Sequence, residues 1–491
     1  MRPILAGIET EYGLFVEGRG AEDQIEDAMT LVRGTPDECF VGWDYRFESP
    51  RADLRGFRLD RLAFDPEDAK FDAGKTLPKD TDIRSDRILA NGARFYNDHG
   101  HPEYSTPEAW SIHELARHDQ YGEQVVLRAA KTMEAREDRA IKVYKNNTDG
   151  HGASYGTHES YLVPREIGYE RLFAAVTPML VARQILTGAG KVGAELGAHA
   201  TYQISQRADF FVEPANAETL YRRPIFNTRD EPHGDPREWI RMHVISGDAN
   251  MMAISTALKV GLVKIALAIA DTNRPPVWRL KDPVRAFQSA SRDESMTFRV
   301  DLEGGSWTTL PELLEGYFAS AEATVELDED AVWTIQTSRG LLTQLRSDPA
   351  RFARSVDWAA KRAMLEQVMS EEGWDWRHPA LASYDLEYHN VDPEDGLHAA
   401  LEEMDMIDAN PSWTSLERYA DDVFEDTRAR ARSIAVRRFR AHLVAATWSN
   451  LSFRMDDGRT EDVALKPDRA YPRELEDAPN VGTFIQQLRA I

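Results

Sequence analysis

From Pro3 to Gly13 polar and apolar positions alternate, the pattern of a half-buried strand. It puts Ile8, Thr10 and Tyr12 on one face and Glu9 and Glu11 on the other. A helical pattern follows over Asp23 to Val32, and strand character returns at Ile88 to Asp98, Ala140 to Lys145 and His158 to Val163. Leu172, Phe173, Val176, Leu180 and Leu186 make a helical apolar stripe with Gly188 as its expected C-terminal cap. After Asp248, Ile254, Leu258, Leu262 and Ile265 recur at helical spacing, and beyond Pro311 the pattern is mostly helical.

Between Trp43 and Arg87 the pattern breaks down. Pro50, Pro66 and Pro78 stand among many acidic residues, which predicts a long, mobile surface loop; loops of that length are often functional. Asn410-Pro411-Ser412 reads as a turn and divides a large unit, residues 1–409, from a small C-terminal one, residues 410–491. The small unit is expected to hold an Arg-rich helix and a strand near Thr447 to Phe453. Strands first and helices later predict an α+β fold.

Charge narrows the partners. The 491 residues carry a formal net charge of −24, a field that repels nucleic acid. A local basic groove stays open, because Arg428, Arg430, Arg432, Arg437, Arg438 and Arg440 cluster near the C-terminus. Cys39 is the single cysteine, which excludes an intrachain disulfide and a cysteine-based zinc site. The first residues lack an apolar run of signal-peptide length, and Lys259 and Lys264 interrupt the apolar stretch Met251 to Ala270. The expectation is a cytoplasmic protein with a buried helix there and no membrane partner.

Four stretches carry candidate chemistry. Glu9 and Glu11, about 7 Å apart along a strand, are either two solvated acids or hard oxygen ligands suited to Mg²⁺. In NGARFYNDHGHPEYSTPE, strand alternation puts Arg94, Tyr96 and Asp98 on one face, with His99, His101 and Glu103 close behind. In YKNNTDGHGASYGTHESYL, Gly150, Gly152 and Gly156 allow a ligand close to the backbone, and His158 and Glu159 are possible metal or phosphate contacts. Arg207, Arg229 and Arg241 are suited to a phosphate or carboxylate, and His243 to a metal or phosphate; each also fits a surface ion pair. No Walker loop, GxSxG elbow or HExxH helix occurs, so the chemistry must rest on carboxylates, histidines, arginines and metal.

Together these stretches resemble the Pup ligase/Pup deamidase family of the carboxylate–amine ligase superfamily. GIETEYG, NGAR-x-Y-x-D, HPEYSTPE, KNNTDGHGASYGTHESYL, SQRADF and IFNTRDEPHGD stand in the family's order. Trp43-Asp44-Tyr45, Glu48-Ser49-Pro50 and Arg55-Gly56-Phe57 match a block before an inserted loop that the deamidase/depupylase branch carries and the ligases lack. The resemblance implies a glutamine-synthetase-like large domain with a curved, mostly antiparallel sheet, plus a small C-terminal domain. It implies ATP, or ADP with phosphate, and Mg²⁺ as cofactors, and Pup and pupylated proteins as partners. The implied activity is hydrolysis of Pup's C-terminal glutamine amide and of the Pup–lysine isopeptide bond. ATP is needed there but not consumed at each turnover; a ligase reading would consume it.

By position, Glu9, Tyr96 and Glu103 match magnesium contacts, with Glu11 and His158 as neighbours. Arg94 and Thr106 match ATP contacts, Arg241 and His243 face the phosphates, and Trp448 closes over the nucleotide. Asp98 matches the catalytic aspartate, as nucleophile or general base, and Arg207 and Arg229 are expected to bind substrate. His151 stands where relatives often have lysine, and HDQYGE replaces the more usual WDKAGE.

Overall fold

The computed structural model describes residues 2–45, 51–59, 82, 84–150, 152–195, 201–219, 222–272, 278–416 and 425–491. His151 and most of the expected loop, residues 46–50, 60–81 and 83, lie outside them.

The alternating N-terminal pattern forms strand β1 (Ala6–Glu11). The chain then turns away at Tyr12, so that β2 (Gly13–Val16) pairs elsewhere, with β7 (Ile141–Tyr144). Helix α1 (Gln24–Arg33) and the short strand β3 (Cys39–Phe40) come next. The expected strand over Ile88 to Asp98 is two strands, β4 (Arg87–Leu89) and β5 (Arg94–Asp98). They are split by a turn at Gly92, whose φ of +77° suits glycine and where a Cβ would meet the Ala429 carbonyl. Strands β6 (His101–Ser105) and β8 (Thr157–Pro164) follow, and β9 (Trp239–Gly247) is a long strand that the sequence reading left unassigned.

Seven of these strands make one sheet in the order β9-β8-β1-β6-β5-β4-β3, and every neighbouring pair is antiparallel. The α+β expectation is therefore met. The register aligns Glu9 with His158 and Ser105, Glu11 with Glu103, Tyr96 with Glu103, and His243 with Ser160. Directly paired residues share a face, so one face gathers the acids and histidines.

The other face presents Ile8, Tyr161, Met242 and Val244 to the main core. Among the helices that contribute to that core are α2 (Ile112–Glu137), α3 (Gly168–Ala182) and α4 (Ala253–Asp271). Helix α4 is long and apolar enough to cross a membrane, but 94% of its most apolar window is buried inside the protein. Its Lys259 ammonium donates to the Asp248 carbonyl at 2.7 Å, and Lys264 donates to the Trp110 carbonyl. Burial of lysine is tolerated because the donors are satisfied. Gly188 does follow the helical stripe, but in an extended conformation rather than a left-handed cap; a Cβ there would strike the Ile204 carbonyl.

From Leu310 the chain is mainly helical as expected, through Leu310–Thr324, Glu329–Ser347, Asp357–Glu372 and shorter helices. A second hydrophobic cluster gathers α5 (Arg428–Phe439), a three-stranded sheet from Leu443 to Ala464 and the helix Val481–Ala490. The Arg-rich helix is not a basic groove. Arg428, Arg430 and Arg432 are buried, and Glu108 accepts hydrogen bonds from Arg428 at 2.6 Å and from two nitrogens of Arg432.

Candidate active site

The polar face of the sheet opens into a cavity of about 630 Å³. Glu9, Glu11, Arg94, Tyr96, Asp98, Glu103, His158, Arg207, Arg229, Arg241, His243 and Trp448 all line it. Thr106 lines an adjoining slot of about 70 Å³ together with Gly7, Leu162 and Trp448. There its hydroxyl oxygen accepts from the Ile8 amide at 3.0 Å, so it also ties β1 to the strand beside it.

Two groups of ligand atoms face the cavity, each within 4.8 Å of one another: Glu9, His158 and His243; and Glu11, Asp98 and Glu103. In the first, Arg241 donates to Glu9 at 2.8 Å, and both imidazoles stand 3.8 Å from the other carboxylate oxygen. Burial works to raise the Glu9 carboxyl, but the Arg241 guanidinium beside it, with the two imidazoles close by, holds it well below the usual range. Neither ring nitrogen of buried His243 has a hydrogen-bond partner, and burial with Arg241 beside it pushes its pKa well down. A neutral imidazole with unfilled nitrogens is a competent metal ligand.

The second group behaves oppositely. Tyr96 donates to Glu103 at 2.7 Å, and Ser105 donates to the same oxygen at 3.0 Å. Burial and the charges of Asp98, Glu9 and Glu11 nonetheless raise Glu103 well above the usual range. Burial, then Glu103 and Asp98, likewise raise the Tyr96 phenol, which stays a donor. Three convergent carboxylates strained by mutual repulsion fit a divalent cation among hard oxygen ligands.

Local backbone sets these directions. Asp98 ends β5 and pairs with His101 across a two-residue turn, His99 and Gly100, both with positive φ (48° and 93°). That is the type I′ pattern of tight hairpins, and the Gly100 amide donates to Asn97 Oδ1 at 3.0 Å. His101 stacks on Tyr155 at 4.3 Å, and its Nε2 lies 3.0 Å from Gln24 Nε2. A Cβ on Gly156 would collide with the His158 ring, which explains a glycine at that point of the polar hairpin.

One expectation fails here. Glu159 is next to His158 and so projects to the opposite face, where it accepts from Arg183 at 2.6 and 2.7 Å and from Tyr161 at 2.5 Å, fully buried. It is a core ion pair and not a metal contact.

At the far end of the cavity, Arg94 lies 4.0 Å over the Trp43 ring and 3.9 Å over the Tyr96 ring, and donates to Asp86 at 2.7 Å. Trp43 meets Trp448 edge-on at 5.2 Å, with Arg432 over the second indole. Arg207 and Arg229 are buried or nearly so, and each keeps an unfilled Nε donor. Burial, with Arg223 nearby, lowers Arg207 to about 10.

Part of the expected loop is docked and not merely solvated. The Leu54 amide donates to the Thr228 carbonyl at 2.8 Å, and buried Asp53 accepts from Thr228 at 2.6 Å and from Arg55. The sequence reading also passed over Arg84, Tyr155, Arg223, Glu231 and His233, all of which line the cavity. Glu231 and His233 were within reach, since they sit inside the IFNTRDEPHGD stretch; Arg84 was hidden in a region read as loop.

Comparison with known proteins agrees with this architecture. The family model described as Pup-ligase protein matches residues 4–452, and the chain belongs to that family. A depupylase of Acidothermus cellulolyticus is 35% identical over 464 residues, covering 91% of this chain and 90% of that protein. The crystal structure of the prokaryotic ubiquitin-like protein Pup with its ligase PafA superposes with a TM-score of 0.76 at 26% identity, covering 99% of this chain and 93% of that one. A structure of PafA with ADP gives 0.71 at 27% identity, over 88% and 96%.

Proposed function

We propose that this protein is a Pup deamidase and depupylase: water replaces ammonia at Pup's C-terminal glutamine, or the lysine amine at the Pup–protein isopeptide bond. The observation that carries the reading is Asp98, held at a strand end among Glu11 and Glu103 and facing the cavity. The family supports Pup as partner, and the Acidothermus relative is a depupylase. The hydrolytic branch, rather than the ligases, is favoured by the block Trp43 to Phe57, whose described residues pack against the site through Trp43 and Tyr45 on the lining residue Arg94 and through Asp53 on Thr228, next to Arg229.

In this reading Glu9, Glu11, Tyr96, Glu103 and His158 hold Mg²⁺, and Arg94, Thr106, Arg241, His243 and Trp448 hold ATP or ADP with phosphate. Mg²⁺ held there would supply the positive charge that offsets the acid cluster and the nucleotide phosphates and would polarise an amide carbonyl. Arg207 and Arg229 offer unfilled guanidinium donors to the acidic Pup terminus. Asp98 then works by one of two routes. It attacks the carbonyl carbon, expels the amine with a proton drawn from solvent and leaves an anhydride that water opens, or it takes the proton from an attacking water and returns it to the nitrogen as the C–N bond breaks. Label found in Asp98 after turnover in ¹⁸O-water would establish the first route, because water opening the anhydride at the aspartyl carbon leaves its oxygen there and the second route never does. Residues 1–409 act as the catalytic unit and 410–491 as the small unit that brings Trp448 to the nucleotide.

The direct test incubates the protein with a Pup-modified substrate, Mg²⁺ and ATP and follows mass. Release of unmodified substrate without matching ADP production supports the proposal; conjugate formation with one ADP per bond would assign a ligase instead.

A further inference from the structure

We propose that Arg84 is a positioning residue for the reacting carboxylate, pinning Asp98 in the orientation it needs to work on the amide. The inference deepens the reading above and rests on its assignment of Asp98.

Asp98 is crowded by like charge. Its ligand oxygen lies within 4.8 Å of those of Glu11 and Glu103, so an untethered carboxylate would swing away from them. Among the described residues the cation that touches it is Arg84, whose NH1 donates to Asp98 Oδ1 at 3.3 Å. One oxygen is thereby occupied and the other left for the reaction.

The guanidinium is itself held in place. The Arg84 carbonyl accepts from the Asn97 amide at 2.7 Å, so its backbone runs beside the end of β5, one residue from Asp98. Its Cζ sits 5.5 Å from the Tyr45 ring centroid and 5.9 Å from that of Tyr96, between two aromatic faces that attract a cation. The Tyr45 hydroxyl binds Asp86, and Asp86 accepts from Arg94 at 2.7 Å, so the cradle is tied to the nucleotide end of the cavity.

The backbone between Arg84 and Asp86 is strained. Ser85 adopts φ +55°, fully buried, with its amide donating to Asp82 Oδ1 at 3.2 Å and its hydroxyl to the Asp82 carbonyl at 3.0 Å. A non-glycine residue persists there only when its surroundings enforce it, and such strain concentrates at functional sites. The result of this turn is that Arg84 meets Asp98 while Asp86, two residues on, meets Arg94. With 43% of its side chain exposed, Arg84 contributes little to the core, so a purely structural role is a poor explanation.

The test uses the full chain with Mg²⁺, ATP and Pup ending in glutamine, comparing wild type with Arg84→Ala and Arg84→Lys. Arg84→Ala is expected to lower kcat by roughly tenfold or more with little change in KM, the signature of an interaction used at the chemical step. Arg84→Lys should recover part of the rate, and millimolar guanidinium should raise kcat of Arg84→Ala but not of wild type. A wild-type kcat in Arg84→Ala overturns the proposal, as does a loss confined to KM with no response to guanidinium, which would make Arg84 a substrate contact. An inert wild type under the same conditions overturns the parent assignment of function, and is distinguished by that control.

Discussion

Glu159 and Arg183 form a buried two-point ion pair, 2.6 and 2.7 Å, on the helix side of a strand whose preceding residue, His158, faces the cavity. One peptide bond thus separates a core residue from a site residue. Removing one partner of such a pair strands the other charge in the interior, at a cost of about 3–5 kcal/mol. Glu159→Gln should therefore lower the denaturation midpoint strongly, whereas His158→Ala should change stability by about 1 kcal/mol or less while weakening metal binding. Urea unfolding of the two variants checks both.

Glu108 gives a pH-dependent counterpart. Burial raises its carboxyl, but Arg432 and Arg428 outweigh that and bring it to about 2. A folded pKa below the unfolded one adds stability that is present above the unfolded value and lost as pH falls through the folded one. The window is thus from about 4.5 down to about 2. The contribution is roughly 3 kcal/mol at neutral pH, by the energy per pK unit. Because Glu108 ties the segment after β6 to α5 through its two arginines, urea midpoints should fall from pH 6 to pH 3.5 in wild type. Glu108→Gln should start lower and show a flatter slope.

The acid cluster predicts how Mg²⁺ acts. Burial and the neighbouring carboxylates raise Glu103, so at mildly acidic pH it keeps a proton that a metal must displace. Mg²⁺ should raise the melting temperature more at pH 8 than at pH 5.5, with proton release detectable by calorimetry in buffers of different ionisation enthalpy. Glu103→Gln should abolish the proton release and most of the stabilisation.

Trp448 stands edge-on to Trp43 and lines the slot that also holds Thr106. Adding ATP should change tryptophan fluorescence, and Trp448→Ala should weaken nucleotide affinity about tenfold, corresponding to the loss of roughly 1.4 kcal/mol. An unchanged affinity would remove Trp448 from the nucleotide site.

Much of this was legible along the chain, for physical reasons. Period-two alternation in β1 separates Ile8 and Thr10 from Glu9 and Glu11 wherever the strand pairs, so the polar face could be read before any partner was known. The same logic placed Arg94, Tyr96 and Asp98 together. What failed was information held by other elements. Glu159 looks like a ligand until Arg183 is brought beneath it, and the arginines of α5 look like a basic face until Glu108 is brought between them. The long strand β9 does alternate, with Ile240, Met242 and Val244 toward the core and Arg241 and His243 toward the cavity, but its polar positions stand out as ligands before the strand that carries them. Arg84 was missed because proline and charge density mark a loop without saying what its end touches.

The most direct test is the turnover of Asp98→Asn with Pup ending in glutamine, alongside its nucleotide affinity. The account predicts that cleavage falls by about a thousandfold or more, as expected when the reacting group is removed, while ATP binds as in wild type. Cleavage at the wild-type rate would contradict it, because the acids gathered on the sheet would then be serving some other reaction.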